Sequence, residues 1–398
     1  MKKESDPRIR ELHREIFASL AGGGGEGLTH AARLCGELPD PSPSTYALVQ
    51  HALMECAFRL ERARDLVSAS PLYERLAAAP WADAAHRTNA QYRLAIVRLA
   101  SGDAAGSLEA CQAALAPDAD AQFRAPARFF LLHLLKEERR WEEAVAELGL
   151  VLDDPPAGVS RFDLHLLLTT CLARSEQLDK ATAHVELPEP GGSVSEATAR
   201  LWMEAAFALE EGGALPAAAA WYDRLLAQTG LPEDVLSNAS FRYGLVCELR
   251  MDWETGRRLY EAAVAESEHV PVIRWAARQR LARLLAMLEE YKTAAGHFEV
   301  LCARTDAPDA ERAALRLEYA KCLWNMRQAH AAQTELLACR ELYPGSELEV
   351  KADLLLAEIF MQQGDRTAAA ECCRRIAGHP SAEPLTKAAA LAYAVHVK

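Results

Sequence analysis

Apolar residues recur along the chain three and four positions apart, the period of an amphipathic helix, and the helical stretches come in pairs. Each pair reads as one amphipathic segment, a turn of Gly, Asp or another short polar residue, and a second segment ending near Pro or Gly. The segment from Phe241 to Pro271, FRYGLVCELRMDWETGRRLYEAAVAESEHVP, shows the pattern most clearly. Gly244 and Gly256 stand twelve residues apart, Trp253 follows the turn, and Tyr260 lies four residues beyond Gly256. Two helices that cross closely need a residue without bulk on each, so these glycines mark the expected crossing.

The same spacing of small residues recurs in Ala57 with Ala69, Ala95 with Ser107, Ala206 with Ala218, Ala282 with Ala294, Ala320 with Ala332 and Ala357 with Ala369. Leu132 with Ala144 and Thr169 with Ala181 keep the register with a larger first residue. Successive first anchors lie 37 or 38 residues apart, which is the regularity of a repeat array. Four residues after the second anchor stands a gap-filling side chain, as at Tyr73, Leu148, Tyr222, Tyr260, Phe298 and Leu336. Turns are expected at Gly102-Asp103, Gly212-Gly213 and Gly364-Asp365, and prolines such as Pro80, Pro271 and Pro380 separate the units.

The segments GDAAGSLEACQAAL (Gly102 to Leu115), RWEEAVAELGLVLDDPP (Arg140 to Pro156) and EYKTAAGHFEVL (Glu290 to Leu301) resemble second helices of tetratricopeptide repeats. The resemblance covers the chain from about Tyr46 to its end, with a period longer than the family's 34 residues. The family's tryptophan position holds Trp202 in one unit and Gln91, Arg128 or Asp353 in others. The resemblance implies an all-α, right-handed superhelical solenoid of antiparallel helix pairs, about nine to ten units with a C-terminal capping helix. It also implies a non-enzymatic scaffold or adaptor that binds a protein or peptide on its concave face. A peptide-sensing regulator and an accessory subunit of an enzyme complex are the alternatives.

A solenoid's ends need solvated outer faces, and both ends here are atypical. Residues 1–43 are expected to form an N-terminal cap, residues 44–383 the array, and residues 384–398 a C-terminal helix. The first pair is expected at Pro7 to Leu20 and Leu28 to Leu38, joined by Gly22 to Gly25, with Ala18 and His30 keeping the twelve-residue spacing. Ala392 continues the register at the other end, in a helix that either caps the stack or begins a truncated repeat.

Half of the residues are hydrophobic and a quarter charged, the composition of a folding chain rather than a disordered one. A net charge of −13 with no basic run repels phosphate backbones and argues against general nucleic-acid binding. No stretch approaches the roughly 18 apolar residues of a membrane span, and the charged start lacks a secretory signal, so a soluble, cytoplasmic protein is expected. The ten cysteines are scattered, with no C-x-x-C pair, and are expected as reduced core thiols.

The sequence holds no recognisable catalytic or metal constellation, and neither cofactor nor metal is expected. Gly22, Gly24 and Gly27 satisfy G-x-G-x-x-G, but a charged helix precedes them where a dinucleotide site needs a strand. His51 with Glu55 is too small a set for a metal. Acidic pairs such as Glu142-Glu143 read as solvated turn-flanking residues.

The remaining candidate is the surface of the first helices. Positions three before and one after each first anchor should line the groove. They give Met54, Phe58, Tyr92, Ile96, Phe129, Met203, Phe207, Phe241 and Leu245 as candidate partner-binding residues, and continue through Leu166 with Thr170 and Leu317. The competing expectation is that these side chains pack against the next unit. Asn89 and Asn238 occupy a position used in carboxylate clamps, without the accompanying basic residues. The partner's identity and homo-oligomerisation stay open.

Overall fold

The computed structural model describes residues 5–22, 24–153, 155, 158–184 and 194–396. Among them are 21 helices and no strand. The chain divides into two compact units, residues 1–184 and 185–398. The first holds the pairs α1 (Ser5–Gly22) and α2 (Gly24–Glu37), α3 (Tyr46–Arg62) and α4 (Leu66–Ala77), α5 (Ala84–Ala100) and α6 (Ala104–Ala113), α7 (Ala121–Glu137) and α8 (Trp141–Asp153), and α9 (Arg161–Arg174) and α10 (Leu178–Ala183). The second holds α11 (Glu196–Glu211) and α12 (Leu215–Leu226), α13 (Glu233–Leu249) and α14 (Trp253–Glu266), α15 (Pro271–Met287) and α16 (Tyr291–Cys302), α17 (Asp309–Asn325) and α18 (Ala329–Leu342), α19 (Glu347–Gln363) and α20 (Arg366–Gly378), and the single helix α21 (Pro384–His396).

The small-residue register is the register of the core. From α3 onward, every first anchor and its partner twelve residues on is buried, Leu132 and Thr169 included. At one crossing the anchors touch directly: the Ser107 hydroxyl donates to the Ala95 carbonyl at 2.7 Å. At another, a side chain on Gly256 would meet the Gly244 carbonyl at 3.6 Å.

The turns inside the pairs are equally regular. The residue seven places after each first anchor adopts a left-handed conformation: Arg64, Gly102, Arg139, Glu176, Gly213, Met251, Glu289, Arg327 and Gly364. The next residue donates its N–H to the carbonyl five back, at 2.8–3.0 Å in all nine, closing the first helix. Where that next residue is Asp65, Asp103, Asp252 or Asp365, its carboxylate also caps the second helix. Six of the nine left-handed residues are not glycine, at a cost of about 1–2 kcal/mol each, so packing and turn hydrogen bonds fix the turn more than residue choice does.

The first pair departs from the expected register. Ala18 and His30 are exposed, and the buried faces are Ile9, Leu12, Ile16 and Leu20 on α1 and Ala31, Leu34 and Cys35 on α2. Gly24, Gly25 and Gly27 lie inside α2, so the joining turn is far shorter than a four-glycine linker. A side chain on Gly27 would meet the Ser19 carbonyl at 2.7 Å; the closest approach sits next to the turn, which leaves no room for twelve residues between contacts. At the other end Ala392, which continues the register on α21, is exposed.

Candidate partner-binding face

Within each unit the first helices of successive pairs also touch one another, in α1 with α3, α3 with α5, α5 with α7, α11 with α13, α13 with α15 and α17 with α19. Among the described residues, second helices come as close only at α2 and α4. The first helices are therefore the tighter layer, the inner side of each stack, and their outward positions form its face.

The nine candidate residues, Met54, Phe58, Tyr92, Ile96, Phe129, Met203, Phe207, Phe241 and Leu245, are all half-buried. Each keeps part of its surface open; Tyr92 meets Phe130 of α7 edge-on, and Phe241 packs at a tilt on Tyr260 of α14. The positions that continue the series behave differently. Leu166, Thr170 and Leu317 are buried, and the Thr170 hydroxyl is satisfied by the Leu166 carbonyl at 3.0 Å, so the open stripe is interrupted at α9 and α17.

Two of the phenylalanines sit in a fixed polar frame. The Arg93 guanidinium lies over the Phe58 ring at 4.7 Å, and its Nη1 donates to Glu61 Oε1 at 3.0 Å. The Tyr73 hydroxyl donates to the same carboxylate at 2.7 Å. In the second unit Arg242 lies over Phe207 at 4.2 Å and donates to Glu210 at 3.3 Å, while the Tyr222 hydroxyl donates to Glu210 at 2.7 Å. Glu61 and Glu210 keep only 14% and 11% of their side-chain surface, so each arginine is held by a largely desolvated partner. Burial pushes the Tyr73 and Tyr222 phenols well above their ordinary range, and the adjacent carboxylates reinforce this, so both tyrosines remain donors.

A third copy of the frame is incomplete. Arg280 pairs with Glu248 at 3.3 Å, but the Tyr260 hydroxyl, though near Glu248, does not reach hydrogen-bond geometry. Arg93 and Arg242 follow Asn89 and Asn238 by one helical turn, and each is tied to a glutamate.

An apolar cavity of about 670 Å³ opens between α19 and α21, lined by Leu354, Met361, Leu385 and Tyr393 among others.

All ten cysteines are free and buried, and burial pushes the Cys111 and Cys302 thiols up to about 12, well away from reactivity at neutral pH. No group of three or more His, Cys, Asp or Glu suited to a metal occurs among the described residues, and none of their helices is long and apolar enough to cross a membrane.

No family model matches the chain, and no curated protein matches it. Solved structures do. YrrB, a tetratricopeptide-repeat protein described as having an unusual peptide-binding site, is 17% identical over 49% of this chain and 92% of its own, with a TM-score of 0.39. The C-terminal part of a repeat-containing protein from Cytophaga hutchinsonii is 12% identical over 65% of this chain and 97% of its own, with a TM-score of 0.48. A tetratricopeptide-repeat protein from Parabacteroides merdae is 15% identical over 77% and 98%, with a TM-score of 0.34. The weight of the assignment lies in the chain's own geometry of buried anchors twelve residues apart, left-handed turns at one fixed place, and first helices layered against one another. The chain is an all-α helical-repeat protein built of tetratricopeptide-like helix pairs.

Proposed function

We propose that this protein is a non-enzymatic interaction scaffold that holds a peptide or protein segment along the first-helix face. The observation that carries the reading is the row of half-buried aromatic and methionine side chains on that face, each with surface left for a partner. Asn238 supports it: its half-buried amide makes no hydrogen bond among the described residues. The free, buried thiols suit a reducing compartment such as the cytoplasm.

Photocrosslinking tests the reading. p-Benzoylphenylalanine is placed at Phe129 on the first-helix face, or at Val67 on α4, which is 87% exposed. With a biotinylated random hexapeptide pool, adducts are expected from position 129 and not from position 67. Equal labelling from both, or labelling from position 67 alone, would move the binding surface off the first helices.

A further inference from the structure

In three of the helix pairs an arginine stands four residues before the first anchor, and the residue three places after the second anchor faces it across the pair. Where both positions are aromatic they pack, as Trp202 does on Trp221 with ring centroids 5.9 Å apart. Two of the arginines meet a glutamate there instead: Arg128 lies 3.6 Å from Glu147, and Arg316 pairs with Glu335. The carboxylate offsets the cost of removing the guanidinium from water.

In the pair α15 and α16 the arginine is present and the glutamate is not. Arg278 takes the place of Arg128 and Arg316, and His297 the place of Glu147 and Glu335. The Arg278 guanidinium lies over the Trp275 ring at 5.7 Å, and its buried Nε finds no acceptor among the described residues. One helical turn earlier Arg274 is in the same state, half-buried, with an unsatisfied Nε and no ion pair among the described residues. Its counterparts in other pairs, Arg87 and Arg124, donate to carbonyls of the preceding loop, at 2.6 Å to Ala82 and 2.7 Å to Pro117. Burial and the neighbouring Arg274 charge hold the Arg278 guanidinium below its ordinary pKa. Burial, then the Arg278 charge, likewise lowers His297, against an opposing pull from Glu261 on α14, which is paired with Arg257. The other cation beside Trp275, Arg304, is bound by Asp306 at 2.9 Å. A chain of net charge −13 thus leaves two half-buried guanidiniums, one turn apart, without an anion among the described residues.

We propose that Arg274 and Arg278, opposite His297, bind the carboxylate of a ligand, which takes the place of the glutamate that this pair lacks. Guanidinium N–H groups match a carboxylate in geometry and charge, and the two related pairs show a carboxylate meeting the same guanidinium from the facing helix. All three side chains are half-buried, so a small carboxylate can reach them from solvent. A free short-chain carboxylic acid and the acidic side chain of a peptide present the same group. The site lies between the two helices of a pair and does not depend on the first-helix face binding a partner.

The test uses the full chain with ring-¹³C histidine and two probes. Propionate carries the end of a glutamate side chain, and N-acetyl-glutamic acid amide carries it on a peptide unit. Chloride holds the ionic strength constant, because added salt acts on every exposed charge. The His297 signal, assigned with His297→Gln, should shift saturably, while those of the exposed His133 and His330 stay in place. Arg278→Gln should weaken the response by about tenfold or more, as loss of a charged hydrogen-bond partner implies. His297→Glu gives this pair the glutamate of the other two, so its melting midpoint should rise by about 2–4 °C. Propionate should raise the midpoint of the unaltered chain by linkage and leave His297→Glu unmoved. This second variant keeps both arginines and reads the site even where Arg278→Gln does not fold. A response to propionate alone assigns a free acid, and a response to the amide assigns a peptide side chain; either upholds the site. No shift at His297 with either probe, a response to inorganic phosphate without one to propionate, or equal stabilisation of the unaltered chain and His297→Glu by propionate would overturn it.

Discussion

Replacing Asp353 with alanine should destabilise the second unit by about 2–4 kcal/mol, measured as a fall in the urea midpoint at unchanged slope. Asp353 occupies the position that Trp202 holds in another repeat, and only 2% of it is exposed. Arg375 on α20 grips it with Nε at 3.1 Å and Nη2 at 2.8 Å, and Arg340 on α18 lies 3.5 Å away, so one carboxylate ties three helices together. The pairing also raises the Arg375 pKa. Loss of one partner from a fully buried pair costs about 3–5 kcal/mol, but Arg375 and Arg340 keep 36% and 24% of their side-chain surface and can turn toward water, which lowers the expected cost. An unchanged midpoint would mean that α18, α19 and α20 are held by their apolar contacts alone.

The second large effect is expected at Gly244. A Cβ there would stand 2.5 Å from Tyr260 Cε1 and 2.8 Å from Cδ1, and the ring has no room to retreat because Tyr260 is fully buried. Gly244→Leu should therefore cost about 3 kcal/mol or more, the upper range of overpacking. Gly256→Ala, on the facing helix, should be neutral or stabilising by up to about 1 kcal/mol, because its Cβ would meet only ordinary contacts and alanine favours the helix. The asymmetry has a local origin. Tyr73 and Tyr222 are held by their glutamates and tolerate alanine at Ala57 and Ala206, whereas Tyr260 lacks that hydrogen bond and its ring rests on the glycine. Equal thermal shifts for the two variants would contradict this account of the crossing.

The helix pairs were legible in the sequence because a close crossing admits few residue types. A small side chain at Ala57, Ala95 or Ala282 is a steric requirement, and it repeats wherever the crossing repeats. The N-terminal pair misled for the converse reason. Its crossing lies beside a short turn at Ser19 and Gly27, so Ala18 and His30 match a spacing that the geometry there does not use.

The face was only partly legible. Helical period places Phe58 and Phe207 on one side of a helix, but not the arginine that arrives from the following repeat to cover each ring. The partner sits 32 residues after the glutamate it binds, a separation that has meaning only once the repeats are stacked. Neither full exposure nor full burial describes these residues: each keeps part of its surface open. The apolar cavity at α21 depends on which surface of Leu354 and Leu385 remains uncovered, which helical period alone does not state.

The most direct test of the scaffold reading is peptide-pool binding by Phe207→Ala combined with Phe241→Ala, compared with the unaltered chain at equal folded fraction. Phe207 lies under Arg242 and Phe241 packs at a tilt on Tyr260 with centroids 6.1 Å apart, yet both keep open surface, so their loss should cost less than the roughly 3–5 kcal/mol of a fully buried phenylalanine. Binding should fall by about tenfold or more while the helical signal and a cooperative thermal transition persist, as for aromatic anchors at a binding hot spot. Unchanged binding by the folded double variant would contradict the claim that this face holds the partner.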